Sequence, residues 1–282
     1  MTLPLNLMYL KYFCDAAKMG SVSKAALANF VTQSAISQGI HKLEKSLNQE
    51  LIQHRQNRFK ITSEGEMILK KSRDIFKGIQ ELEESISSKQ GEISGRIEFA
   101  CMHSFALALL PQQLKRARRE YPNLQINFRL GHTDMMKDLI KKGIIDFGIV
   151  LDNEDLSSFQ CYEIFRGQYR TYVSSAVKEP QELPYILSEK LMETNLLRKA
   201  YAKKCRRELP VLMEVSSWEV IAKLTEEGLG VGFFPDYVAL NKKSLKEHPL
   251  HLPAIHYKIY AIFPPSVKLH KNQEAFLKLF RD

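Results

Sequence analysis

Gln33, Ser34, Ser37, Gln38 and His41 share one side of a helical wheel, and they are the residue types that can read the edges of DNA bases. The amide of Gln33 can make two hydrogen bonds to adenine, and the hydroxyls, second amide and imidazole can reach neighbouring edges. The opposite side of the segment carries Ile36, Ile40, Leu43 and Leu47, spaced as the apolar stripe of an amphipathic helix. Thr32 is placed to cap this helix, which would leave the N–H groups of Gln33–Ala35 for a phosphate. Just upstream, Ser23 and Lys24 begin a shorter helical stretch with Ala25 and Ala26, small enough for the close helix approach of a helix-turn-helix. An ordinary solvated helix face would show the same polar pattern, so the flanking segments must decide.

The following segment, Leu51–Thr62, alternates like two short strands around a polar turn at Gln56-Asn57, with Arg55, Arg58 and Lys60 projecting from it. Residues 1–62 hold eight lysines and arginines and three acids, a surplus of five positive charges on a small domain. That surplus coincides with a helix-turn-helix and a wing, the footprint expected for double-stranded DNA.

These residues resemble the winged helix-turn-helix of LysR-type transcriptional regulators. The similarity runs through Leu10-Lys11-Tyr12-Phe13, Gly20–Ala26, Thr32–Gln38, Leu43-Glu44, Leu51-Ile52 and Ile61–Gly65. Ser34 stands where the family often has Pro, Gln38 where Arg is frequent, and His54 where the wing commonly has Arg. The resemblance implies DNA contacts from Ser23, Lys24, Thr32, Gln33, Ser34, Ser37, Gln38, His41, Arg55 and Arg58. It also implies a homodimer or homotetramer on an inverted-repeat site, and it admits RNA polymerase as a partner.

A second group of polar residues falls at strand-to-helix junctions further along. His103-Ser104 follow an expected strand Arg96–Cys101, His132-Thr133 follow Gln125–Leu130, Ser188 follows Tyr185–Leu187, and Ser216-Ser217 follow Val211–Val215. Hydroxyls, imidazoles and the N–H groups of helix starts suit a small anionic molecule such as a carboxylate, although plain helix capping would use the same residues. Arg129, Arg166 and Arg198 are weaker candidates for the same pocket. The alternation of strands and helices from residue 96 onward predicts a parallel α/β sheet in two lobes. Leu109-Leu110-Pro111, Asp146–Val150 and Glu227–Pro235 extend the LysR resemblance here, which implies a two-lobed effector domain like that of periplasmic solute-binding proteins. By that resemblance the seven junction residues line the effector cleft, with His103 and His132 where Ser or Thr is common.

Between these parts, Glu64 to about Lys89 reads as one long helix interrupted only by Gly65 and Gly78. Ile68, Ile75, Ile79, Leu82 and Ile86 follow a near-heptad spacing, with Leu69 and Phe76 widening the stripe. The expected fold is therefore α/β with a winged, all-α N-terminal domain. Its parts are a winged helix-turn-helix (1–63), a linker and dimerisation helix (64–90) and an effector-binding domain (91–282). The lobes of the last are expected at about 93–165 plus 266–282, and about 166–265.

Composition agrees with a globular protein: 282 residues, 44% hydrophobic and 26% charged, with a net charge of +9. Leu3–Tyr12 is broken by Pro4, Asn6 and Lys11 and does not resemble a signal peptide, and no apolar run is long enough to cross a membrane, so a cytoplasmic protein is expected. Cys14, Cys101, Cys161 and Cys205 form no metal or dithiol spacing, and no metal or cofactor is expected. Cys205 lies among Lys203, Lys204, Arg206 and Arg207, where a thiolate would be favoured and a redox role is conceivable. No nucleophile elbow, zinc-protease motif or Walker loop is present, and Asp146 and Asp152 read as strand-end residues, so an enzyme is not expected. The competing reading is a DNA-binding regulator or architectural protein whose cleft has no effector.

Overall fold

Asn6 begins the first helix, α1 (Leu7–Met19), by accepting the N–H groups of Met8 and Tyr9, and Gly20 ends it in the left-handed conformation at φ 61°. The structure is a computed structural model that describes residues 5–53, 59–87, 92–180, 183–189, 192–250 and 252–281. It divides into Met1–Gly91 with Lys141–Ile144, and Glu92–Ile140 with Ile145–Asp282.

In the first unit, α2 (Val22–Ala28) is capped by Ser21, and α3 (Gln33–Leu47) by Thr32. The apolar stripe of α3 faces inward: Ile36, Ile40 and Leu43 are buried with Leu10, Phe13, Ala16, Ala25 and Ala26, and Leu47 packs at the margin. Full burial of each large side chain contributes roughly 1.5–3 kcal/mol. The expected small-residue approach occurs at Ala25 and Ala26, and also at Gly39, where a Cβ would lie 2.7 Å from the ring of Tyr12. The wing is an antiparallel pair, β1 (Ile52–Gln53) and β2 (Lys60–Ile61), with Ile52 opposite Ile61. Its expected tip, including Arg55, the Gln56-Asn57 turn and Arg58, lies outside the described residues.

Helix α4 (Ser63–Ser87) starts under the wing. Its first glycine has a packing reason, because a Cβ on Gly65 would lie 2.3 Å from the carbonyl oxygen of Leu51, whereas one on Gly78 meets nothing within 4 Å. Leu69, Ile68 and Phe76 pack on the unit's own core, while Ile75 and Leu82 are 41% and 60% exposed.

The second unit is built on one nine-stranded sheet. Its strands are β3 (Ser94–Cys101), β4 (Asn123–Leu130), β5 (Phe147–Leu151), β6 (Gln160–Ser174), β7 (Tyr185–Leu187), β8 (Val211–Glu214), β9 (Val231–Pro235), β10 (Leu245–Glu247) and β11 (Ile255–Phe263). The order is β4-β3-β5-β11-β6-β9-β7-β8, with β10 on β6. The helices are α5 (His103–Ala108), α6 (Leu110–Glu120), α7 (Thr133–Lys141), α8 (Met192–Cys205), α9 (Trp218–Glu226) and α10 (Lys271–Lys278).

The sheet is mixed rather than parallel. The β-α-β crossovers do give parallel pairs, β3 with β4 and β5, and β7 with β8 and β9. No described helix leads into β6 or β11, and β11 inserts antiparallel to both β5 and β6. Without a helical crossover a strand is not constrained to return in the same direction. The resulting ribbon, from Ile255 opposite Tyr169 to Phe263 opposite Gln160, runs between the two parallel flanks. Gly167 on it is fixed by close approach: a Cβ there would lie 2.3 Å from the Tyr257 hydroxyl and 2.4 Å from Asp236 Oδ1. Tyr257 donates to Asp236 Oδ1 at 2.5 Å, and Asp236 Oδ2 accepts the Gln168 N–H at 3.0 Å.

Candidate DNA interface and ligand cleft

The polar side of α3 is open. Gln33, Ser34, Ser37, Gln38 and His41 are all exposed, and so are Ser23 and Lys24 on α2. The helices come together so that Ser23 Oγ donates to Gln33 Oε1 at 3.0 Å. This holds the amide in place while its nitrogen and the second oxygen lone pair stay available, which is the geometry a bidentate contact to adenine needs. Gln38 donates to Ser34 at 3.3 Å one turn away. One expectation needs correcting: the Ala35 N–H is not left for a phosphate, because the Thr32 hydroxyl accepts it at 3.2 Å. The cap consumes a donor that the bare helix terminus would offer.

Sequence reading missed what fixes the wing against α3. Glu44 is 6% exposed, and its Oε1 accepts the N–H groups of Leu51 at 2.9 Å and Ile52 at 3.2 Å. Its signals were a charged residue one position beyond the apolar stripe and the place of Leu43-Glu44 in the family resemblance. Lys42 lies over the Tyr9 ring, 5.7 Å from its centroid, a cation–π contact.

In the second unit, His103, Ser104, His132, Thr133, Ser188, Ser216 and Ser217 line one cavity of about 610 Å³. Four strand ends bring them there, so residues 114 positions apart, His103 and Ser217, line the same cavity. Some of them cap their helices and others do not. The N-cap position of α5 is Met102, and Ser104 is buried in its first turn with its hydroxyl 2.7 Å from Tyr237 OH. Tyr237 belongs to a short 3-10 helix, Asp236–Ala239, that follows β9. At α7 the His132 ring caps, its Nδ1 accepting the Met135 N–H at 3.3 Å. Ser217 caps α9 by accepting the Val220 N–H at 3.3 Å, and Ser188 lies 3.0 Å from Thr194 Oγ1.

The cavity also has members that the sequence reading passed over, among them Asn153, Glu154, Glu189, Trp218 and Glu219. Asn153 and Glu154 follow the C-terminal end of β5, and Trp218 and Glu219 open the helix after β8. The rule that clefts of α/β sheets form at strand C-termini would have found both pairs. None of the three arginine candidates lines it. Arg129 is exposed on β4, Arg166 donates to Glu163 at 2.7 Å, and Arg198 pairs with Glu214 at 2.8 Å. A nearby carboxylate engages each of the last two, although Arg198 Nε stays buried without a partner. Asp146 and Asp152 have structural roles, accepting the N–H groups of Glu98 at 2.7 Å and Lys258 at 3.0 Å.

Cys205 is half-buried against the core, and none of the four cysteines forms a disulfide. Gly228 ends α9 with φ 79°, as its place in the sequence suggests, but Gly230 is needed for room, since its Cβ would meet the Pro184 carbonyl oxygen at 2.6 Å. Among the described residues, no helix is long and apolar enough to cross a membrane.

Comparison with known proteins ties the two units together. Residues 7–66 match the family model described as bacterial regulatory helix-turn-helix protein, lysR family, and residues 90–282 match the LysR substrate binding domain. The uncharacterized HTH-type transcriptional regulator YybE of Bacillus subtilis is 23% identical over 249 residues, 84% of each chain. Among solved structures, a full-length OxyR variant from Pseudomonas aeruginosa is similar with a TM-score of 0.71 at 17% identity, covering 98% of both chains. Full-length CbnR, solved in complex with its target DNA, is similar at a TM-score of 0.57 and 17% identity, covering 98% of this chain and 99% of that one. With both of its units matched in order, the chain belongs to the LysR family of transcriptional regulators, a family of DNA-binding proteins rather than enzymes.

Proposed function

We propose that this regulator is a cytoplasmic, ligand-responsive switch: a homo-oligomer joined through α4 that reads an inverted-repeat site in double-stranded DNA and responds to a small molecule in the cleft of its second unit. The observation that carries this reading is the convergence of seven polar residues from four strand ends on one 610 Å³ cavity. The cavity is large enough for a metabolite and combines an apolar lining with a few directed polar groups, as ligand sites do. The β6/β11 ribbon, shared by both flanks, is the element about which they would close. A ligand that touches both flanks binds the closed form better, and only that difference can move the equilibrium of the regulator. The exposed side of α4, with Ile75 and Leu82, supports pairing with a second copy.

The test combines Ser104→Ala with Ser216→Ala. The double variant is expected to lose its effector response while still binding its operator as an oligomer. A normal response would remove the cleft from the mechanism. If no metabolite stabilises or releases the wild-type protein, the architectural reading takes its place.

A further inference from the structure

The helix starts and hydroxyls of the cleft favour an anion, but the side chains that the fold adds to them are acids. Among the described residues, Glu154, Glu189 and Glu219 line the cavity, and no lysine or arginine does. Lys137 pairs with Glu154 at 2.9 Å. Glu219 faces the His103 imidazole instead of a lysine or arginine. Its Oε2 accepts from Ser217 at 2.5 Å, while Oε1 is buried without a hydrogen bond, and His103 Nδ1 stands 3.4 Å away outside hydrogen-bond geometry.

The surrounding shell holds further buried polar atoms without partners. Glu193 is 1% exposed, and neither of its carboxylate oxygens has a hydrogen-bond partner. It precedes Thr194, whose hydroxyl contacts Ser188 of the cavity wall. The Tyr169 hydroxyl is also buried and without a partner, and its ring meets the lining Trp218 edge-on at 6.0 Å. A buried acceptor without a donor costs about 1–3 kcal/mol, and more when charged. A carboxylate on the ligand would add to that cost, whereas an N–H-bearing cation would relieve it. Met102, Leu130, Leu151 and the Trp218 ring can take a carbon skeleton, and an indole face also attracts a cation.

We propose that the molecule bound in this cleft carries a protonated amine and that Glu219 is its counter-ion; this rests on reading the cleft as the effector site. The experiment is calorimetric titration of the full-length protein with putrescine, γ-aminobutyrate and succinate, which share a carbon chain length and differ in charge. Tryptamine and indoleacetate form an aromatic pair for the same comparison. Amine-bearing probes are expected to bind, and succinate and indoleacetate are not. Glu219→Gln should weaken amine binding at least about ten-fold, or about 1.4 kcal/mol. Glu189→Gln, at an exposed lining position, should weaken it less, and it keeps the test available if the first variant misfolds. Acids binding as tightly as amines, both variants binding like wild type, or no binding by any of the five probes would each overturn the amine assignment. In any of those cases, a metabolite extract that still changes operator binding would leave the effector reading standing.

Discussion

Glu44 should be among the most sensitive positions in the DNA-binding unit, although it lies outside the expected base-reading face. It is 6% exposed, and one of its oxygens accepts two backbone N–H groups from the start of the wing, at 2.9 and 3.2 Å. Hydrogen bonds to a charged group each contribute about 1.5–3 kcal/mol, and leaving a buried donor without an acceptor incurs its full desolvation cost. Glu44→Ala leaves two such donors, so the expected loss is about 3 kcal/mol or more. Glu44→Gln keeps an oxygen in place and loses only the charge. Neutral bonds are roughly half as strong, so about half the loss should return. Urea denaturation followed by circular dichroism reads the stability. Fluorescence anisotropy on an operator duplex should show weaker binding in the order wild type, Gln, Ala, because the carboxylate ties β1 to α3. A Glu44→Ala loss within about 0.5 kcal/mol, the usual range for surface substitutions, would refute the reasoning.

The two glycines of α4 should respond in opposite directions. Gly65→Ala should destabilise by about 1–3 kcal/mol through the 2.3 Å clash with Leu51, while Gly78→Ala should stabilise by up to about 1 kcal/mol, both read by urea denaturation. Gln33→Ala should cost about 1–3 kcal/mol on the specific operator and little on random DNA, and equal losses in anisotropy would remove it from base readout. Stability should also depend on pH at two buried groups. Burial lowers the pKa of His248 from 6.5, against its bond to the Pro180 carbonyl, so its contribution is complete above pH 6.5 and is lost as pH falls through the lowered value. Burial raises the pKa of Glu193 from 4.5, so stability is complete below pH 4.5 and is lost as pH rises through the raised value. Glu193→Gln should therefore be more stable than wild type at neutral pH, and equal melting temperatures there would count against a buried, unpartnered carboxylate.

Local pattern was enough to place the chemistry-bearing residues on their elements. The stripe of Ile36, Ile40 and Leu43, the Thr32 cap and the small pair Ala25-Ala26 each act within one or two helical turns, and the structure keeps them. The same holds for the strand-to-helix junctions, because a strand followed by a capping residue and an apolar-periodic run is a short-range signal. Tertiary structure decided what depends on partners far along the chain. Strand β11 pairs with residues about 100 positions earlier, and its antiparallel insertion turns an expected parallel sheet into a mixed one. Gly167 looks like any strand glycine until Tyr257 and Asp236 arrive against it. Glu44, Glu193 and Glu219 read alike in sequence as charges on helix faces. One becomes an anchor for backbone N–H groups, and the other two keep buried oxygens that accept no hydrogen bond. A carboxylate's role follows from the donors that packing brings to it, and those donors are supplied by neighbours in space that local sequence pattern does not reveal.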